Sequence, residues 1–98
     1  MSITGQAIES LRKSLKLSVS DFAKLFGIHG ATVYRWESLG RETIKPSPLQ
    51  HTFLAVAQEQ VHEQDALWRA QLREIVLIQG GVPALHYLLD TSKHRSRI

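Results

Sequence analysis

The sequence contains no cysteine and only three prolines among its 98 residues. Without cysteine the chain has no disulfide framework and no thiolate for catalysis or metal binding. It also has no apolar run of about 18 residues, the length that crosses a membrane. Its first residues lack the basic segment followed by an apolar one that marks a secretory signal. We therefore expect a cytoplasmic protein that makes no membrane contact.

Five histidines are present, but no pair of them has the spacing of metal ligands on a helix. The Gly80-Gly81 step lacks the Lys-Ser/Thr sequence that a phosphate-binding loop needs. No arrangement of residues pairs a nucleophile with a base. We therefore expect neither an enzyme nor a bound metal or cofactor.

The net charge is only +3, but it is unevenly distributed along the chain. Residues 1–50 have three positive charges in excess, residues 51–90 have three negative ones in excess, and residues 91–98 add three positive ones. A basic first half suits a polyanion such as double-stranded DNA. The acidic segment would be repelled by DNA, which indicates a different role for it.

Apolar residues recur at helical spacing, and no segment alternates apolar and polar residues over the length of a strand. The pattern predicts an all-α protein with helices over residues 5–15, 18–26, 30–38, 48–60, 63–79 and 83–90. Thr4 and Ser18 are the expected N-caps of the first two helices, and Gly27 is the expected left-handed end of the second. Because no glycine or proline separates the fourth and fifth helices, a single bent helix remains an alternative there.

A joint pattern in the first half of the chain resembles a known family. Its elements are Leu11-Arg12, Leu17-Ser18, Phe22-Ala23, Gly27-Ile28, Val33 and Arg35-Trp36-Glu37. With these elements, residues 8–57 resemble the phage Cro/C1-repressor-type helix-turn-helix family. The resemblance implies a lambda-repressor-like domain of five to six helices. It also implies a repressor-like transcription regulator that binds a (pseudo)palindromic operator in double-stranded DNA as a dimer, with the third helix in the major groove.

The resemblance also implies contacts for individual residues. Base contacts fall to Arg35, Ala31 and Gly30, and the Arg35 guanidinium suits a bidentate contact to guanine. Phosphate contacts are expected from Ser18, Ser20, Thr32, Tyr34, Arg41 and Lys45. Arg41 and Lys45 could equally be solvated loop charges.

The sequence departs from the family pattern at two places. Val19 stands where the family often has a glutamine that clamps a phosphate, so Ser18 and Ser20 at the helix start would have to substitute. The loop over residues 39–47 is also longer than usual. Arg12 and Glu37, by contrast, match a family ion pair that ties the first helix to the third. The resemblance implies a structural role for this pair first, and a phosphate contact second.

The C-terminal half carries more apolar side chains than such a domain needs, and residues 75–78 are apolar nearly all round the helix. We expect a homodimer interface formed by Trp68, Leu72, Ile75, Leu77, Ile78, Leu85, Leu88 and Leu89. The predicted organisation is a DNA-binding module over residues 1–60, a helical dimerisation or partner-binding extension over residues 61–91, and a basic mobile tail over residues 92–98.

A second function remains open for the C-terminal half. Residues 75–89 look like the junction between the second and third helices of an armadillo repeat, although a single repeat cannot bury its own apolar face. The alternative function is therefore a protein-interaction adaptor that uses this helical hairpin without binding DNA. Salt-dependent binding to duplex DNA would distinguish the two functions, because an adaptor would lack it.

Overall fold

Six helices, connected by short turns and one longer loop, make up the fold. The computed structural model describes residues 2–95, with side chains for residues 2–90. The helices are α1 (Gly5–Ser14), α2 (Val19–Phe26), α3 (Gly30–Ser38), α4 (Pro48–Glu63), α5 (Ala66–Gln79) and α6 (Gly81–Arg95). Across this part of the chain, the sole β contact is an isolated antiparallel bridge between Thr4 and Thr43. The predicted all-α class is confirmed.

The first two helices begin and end where local sequence signals predict. The Thr4 hydroxyl accepts a hydrogen bond from the Ala7 N–H at 3.1 Å and caps α1. The Ser18 hydroxyl accepts one from the Asp21 N–H at 3.1 Å and caps α2. α2 ends at Gly27, whose φ of +66° lies in the left-handed region that favours glycine.

The fourth and fifth helices are separate. Ser47 and Gln50 form a reciprocal capping box at the start of α4. This helix continues to Glu63, beyond its predicted end at residue 60. The Asp65 carboxylate then accepts a hydrogen bond from the Trp68 N–H at 3.0 Å and starts a new helix. The alternative of one bent helix is therefore wrong.

The last helix is longer than predicted at both ends. It begins at Gly81, so that Pro83 falls in its first turn, where the missing N–H of proline is tolerated. It continues past Asp90 to Arg95 and so enters the predicted tail over residues 92–98. Residues 96–98 of that tail lie outside the described residues.

All six helices contribute to one hydrophobic core. Its fully buried members include Ile8 in α1, Phe22 in α2, Leu54 in α4, Leu72 in α5 and Leu88 in α6. The radius of gyration is 12.6 Å, close to the ~13 Å of a single domain of this size. The packing is thus continuous across the predicted boundary at residue 60, and the division of the chain at that point remains a functional prediction.

Two glycines allow helices to touch backbone to backbone. A Cβ atom at Gly81 would clash with the carbonyl oxygen of Lys24 in α2, and a Cβ atom at Gly5 would clash with the carbonyl oxygen of Trp36 in α3. A backbone carbonyl cannot rotate away as a side chain can. These two contacts therefore fix α6 against α2 and α1 against α3.

We expect Gly81→Ala to lower the free energy of unfolding by about 1–3 kcal/mol, because α6 must move away from α2 to make room. Gly30→Ala is the matched control, since Gly30 is also the first residue of its helix, and a Cβ there would meet only Val19 Cγ1 at 3.8 Å. Urea unfolding followed by circular dichroism measures both variants. Equal stability of Gly81→Ala and the unaltered chain would contradict the close approach.

Candidate nucleic-acid interface

A three-residue turn sets α3 directly against α2. The Gly27 and Ile28 N–H groups donate hydrogen bonds to the carbonyl oxygens of Lys24 at 3.3 Å and Ala23 at 3.0 Å. These bonds satisfy carbonyl groups at the end of α2 and turn the chain away from the helix axis. α3 then begins within three residues, so its position follows from that of α2.

One face of α3 is buried and the opposite face is exposed. Val33 is fully buried and Trp36 is 7% exposed, so both belong to the core. Tyr34, by contrast, is 66% exposed. Ala31 and Arg35, one helical turn apart, are also exposed. Among the described residues, the Arg35 side chain takes part in no ion pair, so its guanidinium is available to a ligand.

The three residues predicted to contact bases are therefore not equivalent. Ala31 and Arg35 lie on the exposed face of α3, whereas Gly30 is half-buried and its Cα faces the Val19 side chain of α2. Thr32 is also half-buried. The exposed residues of α3 are Ala31, Tyr34, Arg35 and, at its last position, Ser38.

The start of α2 differs from the predicted phosphate site. The Ser18 hydroxyl donates a hydrogen bond to the Asp21 carboxylate at 3.0 Å while it accepts one from the Asp21 N–H. Its proton is therefore already used, and a negative charge lies beside it. Lys24 Nζ lies 3.8 Å from the same carboxylate and offsets part of that charge. Ser20 is exposed and remains the better donor of the two serines.

The loop over residues 39–47 is anchored to the N-terminal segment, which the sequence analysis did not predict. The Ile44 N–H donates to the Ile3 carbonyl at 2.8 Å, and the Gly5 N–H donates to the Glu42 carbonyl at 3.1 Å. Ile3 and Ile44 are both buried. Ile44, an apolar residue between polar neighbours in this loop, was the available signal. Arg41 and Lys45 are exposed on this anchored backbone.

Arg12 and Glu37 form the ion pair that the resemblance implies. Arg12 Nε lies 2.7 Å from Glu37 Oε2 and Arg12 Nη2 lies 3.0 Å from Glu37 Oε1. A third Arg12 nitrogen, Nη1, donates to the Leu17 carbonyl at 3.1 Å. The side chains are only 16% and 12% exposed. Arg12 thus joins α1, the turn before α2, and the last turn of α3.

The hydrogen bonds to Glu37 raise the pKa of the Arg12 guanidinium, although burial alone would lower it. The bidentate geometry uses the planar fork that distinguishes arginine from lysine. Because its nitrogens already have protein partners, Arg12 is poorly placed to bind a phosphate. The geometry therefore favours the structural role over the phosphate contact.

The predicted dimer interface needs correction. Trp68, Leu72 and Leu88 are buried in the core of the single chain, so they cannot form an exposed interface. Ile75, Leu85 and Leu89 are half-buried. Only Leu77, 48% exposed, and Ile78, 73% exposed, are largely accessible among the predicted residues. Val82 at the start of α6 is 69% exposed and was not predicted.

We call Leu77, Ile78 and Val82 the apolar patch, because these three exposed side chains lie at the junction of α5 and α6. Val82 was not predicted, because the expected start of the last helix at residue 83 left it outside that helix. All three lie within six residues of the chain, at positions 77 to 82.

Within the part of the chain that the structure describes, no group of three His, Cys, Asp or Glu side chains could hold a metal ion. None of the described helices has both the length and the apolar character to span a bilayer. No family model, curated protein or solved structure matches this chain. The functional conclusion therefore depends on the residues themselves.

We expect Glu37→Gln to lower the free energy of unfolding by about 1–3 kcal/mol, because it leaves the Arg12 charge without its counter-charge in a largely buried place. A double-mutant cycle with Arg12→Gln should give a clear coupling energy. The exposed Glu9–Lys13 pair, with 3.5 Å between Oε2 and Nζ, is the matched control. Its coupling energy is expected to be below about 0.5 kcal/mol. Equal coupling in the two cycles would remove the special role of Arg12.

Proposed function

We propose that this chain is a cytoplasmic, repressor-like transcription regulator that binds double-stranded DNA in a sequence-specific way. In this proposal α2 and α3 are the two helices of a lambda-repressor-like helix-turn-helix, and α3 enters the major groove. The protein binds a (pseudo)palindromic operator as a homodimer. The proposal extends the resemblance of residues 8–57 to the Cro/C1-repressor-type family.

The observation that carries the proposal is the division of α3 into two faces. Val33 and Trp36 hold the helix in the core, and the opposite face presents Ala31, Tyr34 and Arg35 to solvent. A helix that reads DNA sequence needs this arrangement. Its outer face must reach the edges of the bases, while its inner face is fixed in the core. Arg35 is then the base-reading residue, and Ala31 can pack on a thymine methyl group.

The exposed charges near α3 suit phosphate contacts around the base-reading face. Arg41 lies three residues after the end of α3, and Lys45 follows in the same anchored loop. Because this loop is hydrogen-bonded to the N-terminal segment, both cations are held on a defined backbone. Phosphate contacts of this type position a protein on DNA without selecting a sequence.

The homodimer is proposed to form through the apolar patch. A two-fold axis near Leu77, Ile78 and Val82 would bury these side chains and leave α3 of each protomer free. In a helix-turn-helix dimer the two recognition helices must lie about one DNA turn apart, ~34 Å. Dimerisation would thus determine operator spacing.

We expect Arg35→Ala to weaken binding to the preferred operator by about 1–3 kcal/mol and to leave binding to random duplex DNA nearly unchanged. Arg41→Ala is the comparison variant. It should weaken binding to both DNAs alike. It should also reduce by about one the slope of the logarithm of the binding constant against the logarithm of the salt concentration. Selection from a random duplex pool supplies the operator, and fluorescence anisotropy gives the affinities. If Arg35→Ala weakened both DNAs equally, Arg35 would be a phosphate contact.

We expect Ile78→Glu to give a folded monomer with weaker operator binding, because the exposed position tolerates charge in the monomer but not in an apolar interface. Leu49→Glu is the control, since Leu49 is also exposed, at 63%, but lies in α4. Sedimentation equilibrium reports the oligomeric state and circular dichroism the fold. A monomeric unaltered chain that binds one half-site tightly would refute the dimer.

The apolar patch also supports the second candidate function, a protein-interaction adaptor without DNA binding. Exposed apolar side chains at a helical junction are as suited to a different protein as to a second copy. Duplex binding that weakens steeply with salt would exclude the adaptor, since such dependence reports the release of counterions from DNA.

A further inference from the structure

A groove of about 900 Å³ lies between α1, α4 and α5. Neither α2 nor α3 contributes a residue to its lining. Its two walls are the faces of α1 and α5, and the last turns of α4 close its base with Val61 and His62. One direct link crosses it at the end: Arg73 Nε in α5 donates to the Lys16 carbonyl after α1 at 2.9 Å.

The walls of the groove are built from small side chains at helical spacing. Ala7, Ser10 and Ser14 line it from α1, and Ala66 and Ala70 line it from α5. Residues three or four apart share one helix face, so each wall is a continuous stripe. Small residues in such stripes allow a further helix to approach closely, and the groove is open rather than enclosed.

The lining of the groove is strongly basic. It includes Lys13, Lys16, Arg69 and Arg73, and none of its lining residues is acidic. The partner of Lys13 is Glu9, which lies outside the lining in an exposed pair. The groove therefore presents a positive field beside apolar side chains.

Each of the two arginines of the groove is hydrogen-bonded to a backbone carbonyl, and neither forms an ion pair with any residue whose side chain the structure describes. Arg69 Nη1 donates to the Gln64 carbonyl at 3.1 Å, and Arg73 Nε donates to the Lys16 carbonyl. Both acceptors are neutral carbonyl groups rather than carboxylates. Fixed cations lose little freedom on binding a carboxylate, which favours complementary partners.

We propose that this groove docks an acidic amphipathic helix of a second protein. The accessible apolar side chains of the lining, among them Val61, Ala66 and Ala70, accept the apolar stripe of that helix, and the surrounding cations accept its carboxylates. A free phosphate would leave these apolar side chains uncovered, and so would a DNA backbone. The proposal does not depend on DNA binding, because the exposed face of α3 lies outside the groove.

The test uses a phage-displayed library of helical peptides of about 16 residues, which span ~24 Å at 1.5 Å per residue. Glutamates flank an inner stripe in which alanine, serine, leucine and valine vary, and a second library carries lysines in place of the glutamates. The full chain should enrich peptides from the glutamate library only. The enriched peptide, labelled with fluorescein, then gives the dissociation constant by anisotropy.

Ala70→Glu places a carboxylate and added bulk in the groove at an exposed helix position. We expect this variant to bind the enriched peptide at least about tenfold more weakly. Gln79→Glu is the matched control, because it makes the same charge change on α5 outside the groove lining. Lys13→Gln should weaken peptide binding less than Ala70→Glu does, and it should make the binding affinity less dependent on salt concentration. Circular dichroism verifies that each variant is folded.

Three results would overturn the proposal. The first is enrichment from neither library, or equally from both. The second is a peptide affinity that Ala70→Glu leaves unchanged. The third is an affinity for duplex DNA that falls in Ala70→Glu but not in Gln79→Glu. The groove would then bind the phosphate backbone of DNA and not a protein helix. None of these results depends on whether Arg35 reads bases, so this inference and the proposed function fail separately.

Discussion

α2 is buried at the centre of the fold, and four other helices pack against it. This helix of eight residues contacts α3, α4, α5 and α6, and helices shorter than about 12 residues are not stable alone. Its stability must therefore come from packing. Phe22 and Leu25 are fully buried, and the Phe22 and Phe26 rings lie 4.8 Å apart. Each such side chain contributes about 1.5–3 kcal/mol. Since Gly81 sets α6 against α2, the C-terminal half supports the position of α3.

α3 is held at both ends by different kinds of interaction. Its start follows from the left-handed Gly27 and the three-residue turn. Its last turn is held by the bidentate contact of Glu37 with Arg12. Between these points Val33 and Trp36 are buried, and Ala31, Tyr34 and Arg35 are exposed. If α3 reads DNA as proposed, it does so with little ordering cost, because its backbone is fixed before binding.

The sequence was informative where signals are local and less so where packing decides. Thr4, Ser18 and Gly27 determine helix ends within a few residues, and the helices of the first half were predicted closely for that reason. Apolar spacing shows that Trp68 or Leu72 is buried, but not whether its own chain or a second copy covers it. That ambiguity produced the error in the dimer interface. The groove between α1 and α5 joins residues about 60 positions apart, so no sequence window could have indicated it.

α1 connects the two surfaces that we propose to bind different ligands. Arg12 on one side of this helix holds Glu37 of α3, while the next residue, Lys13, lines the groove. A protein in the groove and DNA on α3 would therefore act on one rigid element. Proximity alone does not couple them, because a ligand shifts an equilibrium only as far as it binds two states differently. The ion pair gives those states a physical meaning, with Glu37 either held by Arg12 or released from it. Coupling would consequently run through α1, and it would vanish without the Arg12–Glu37 contact even if both ligands still bound.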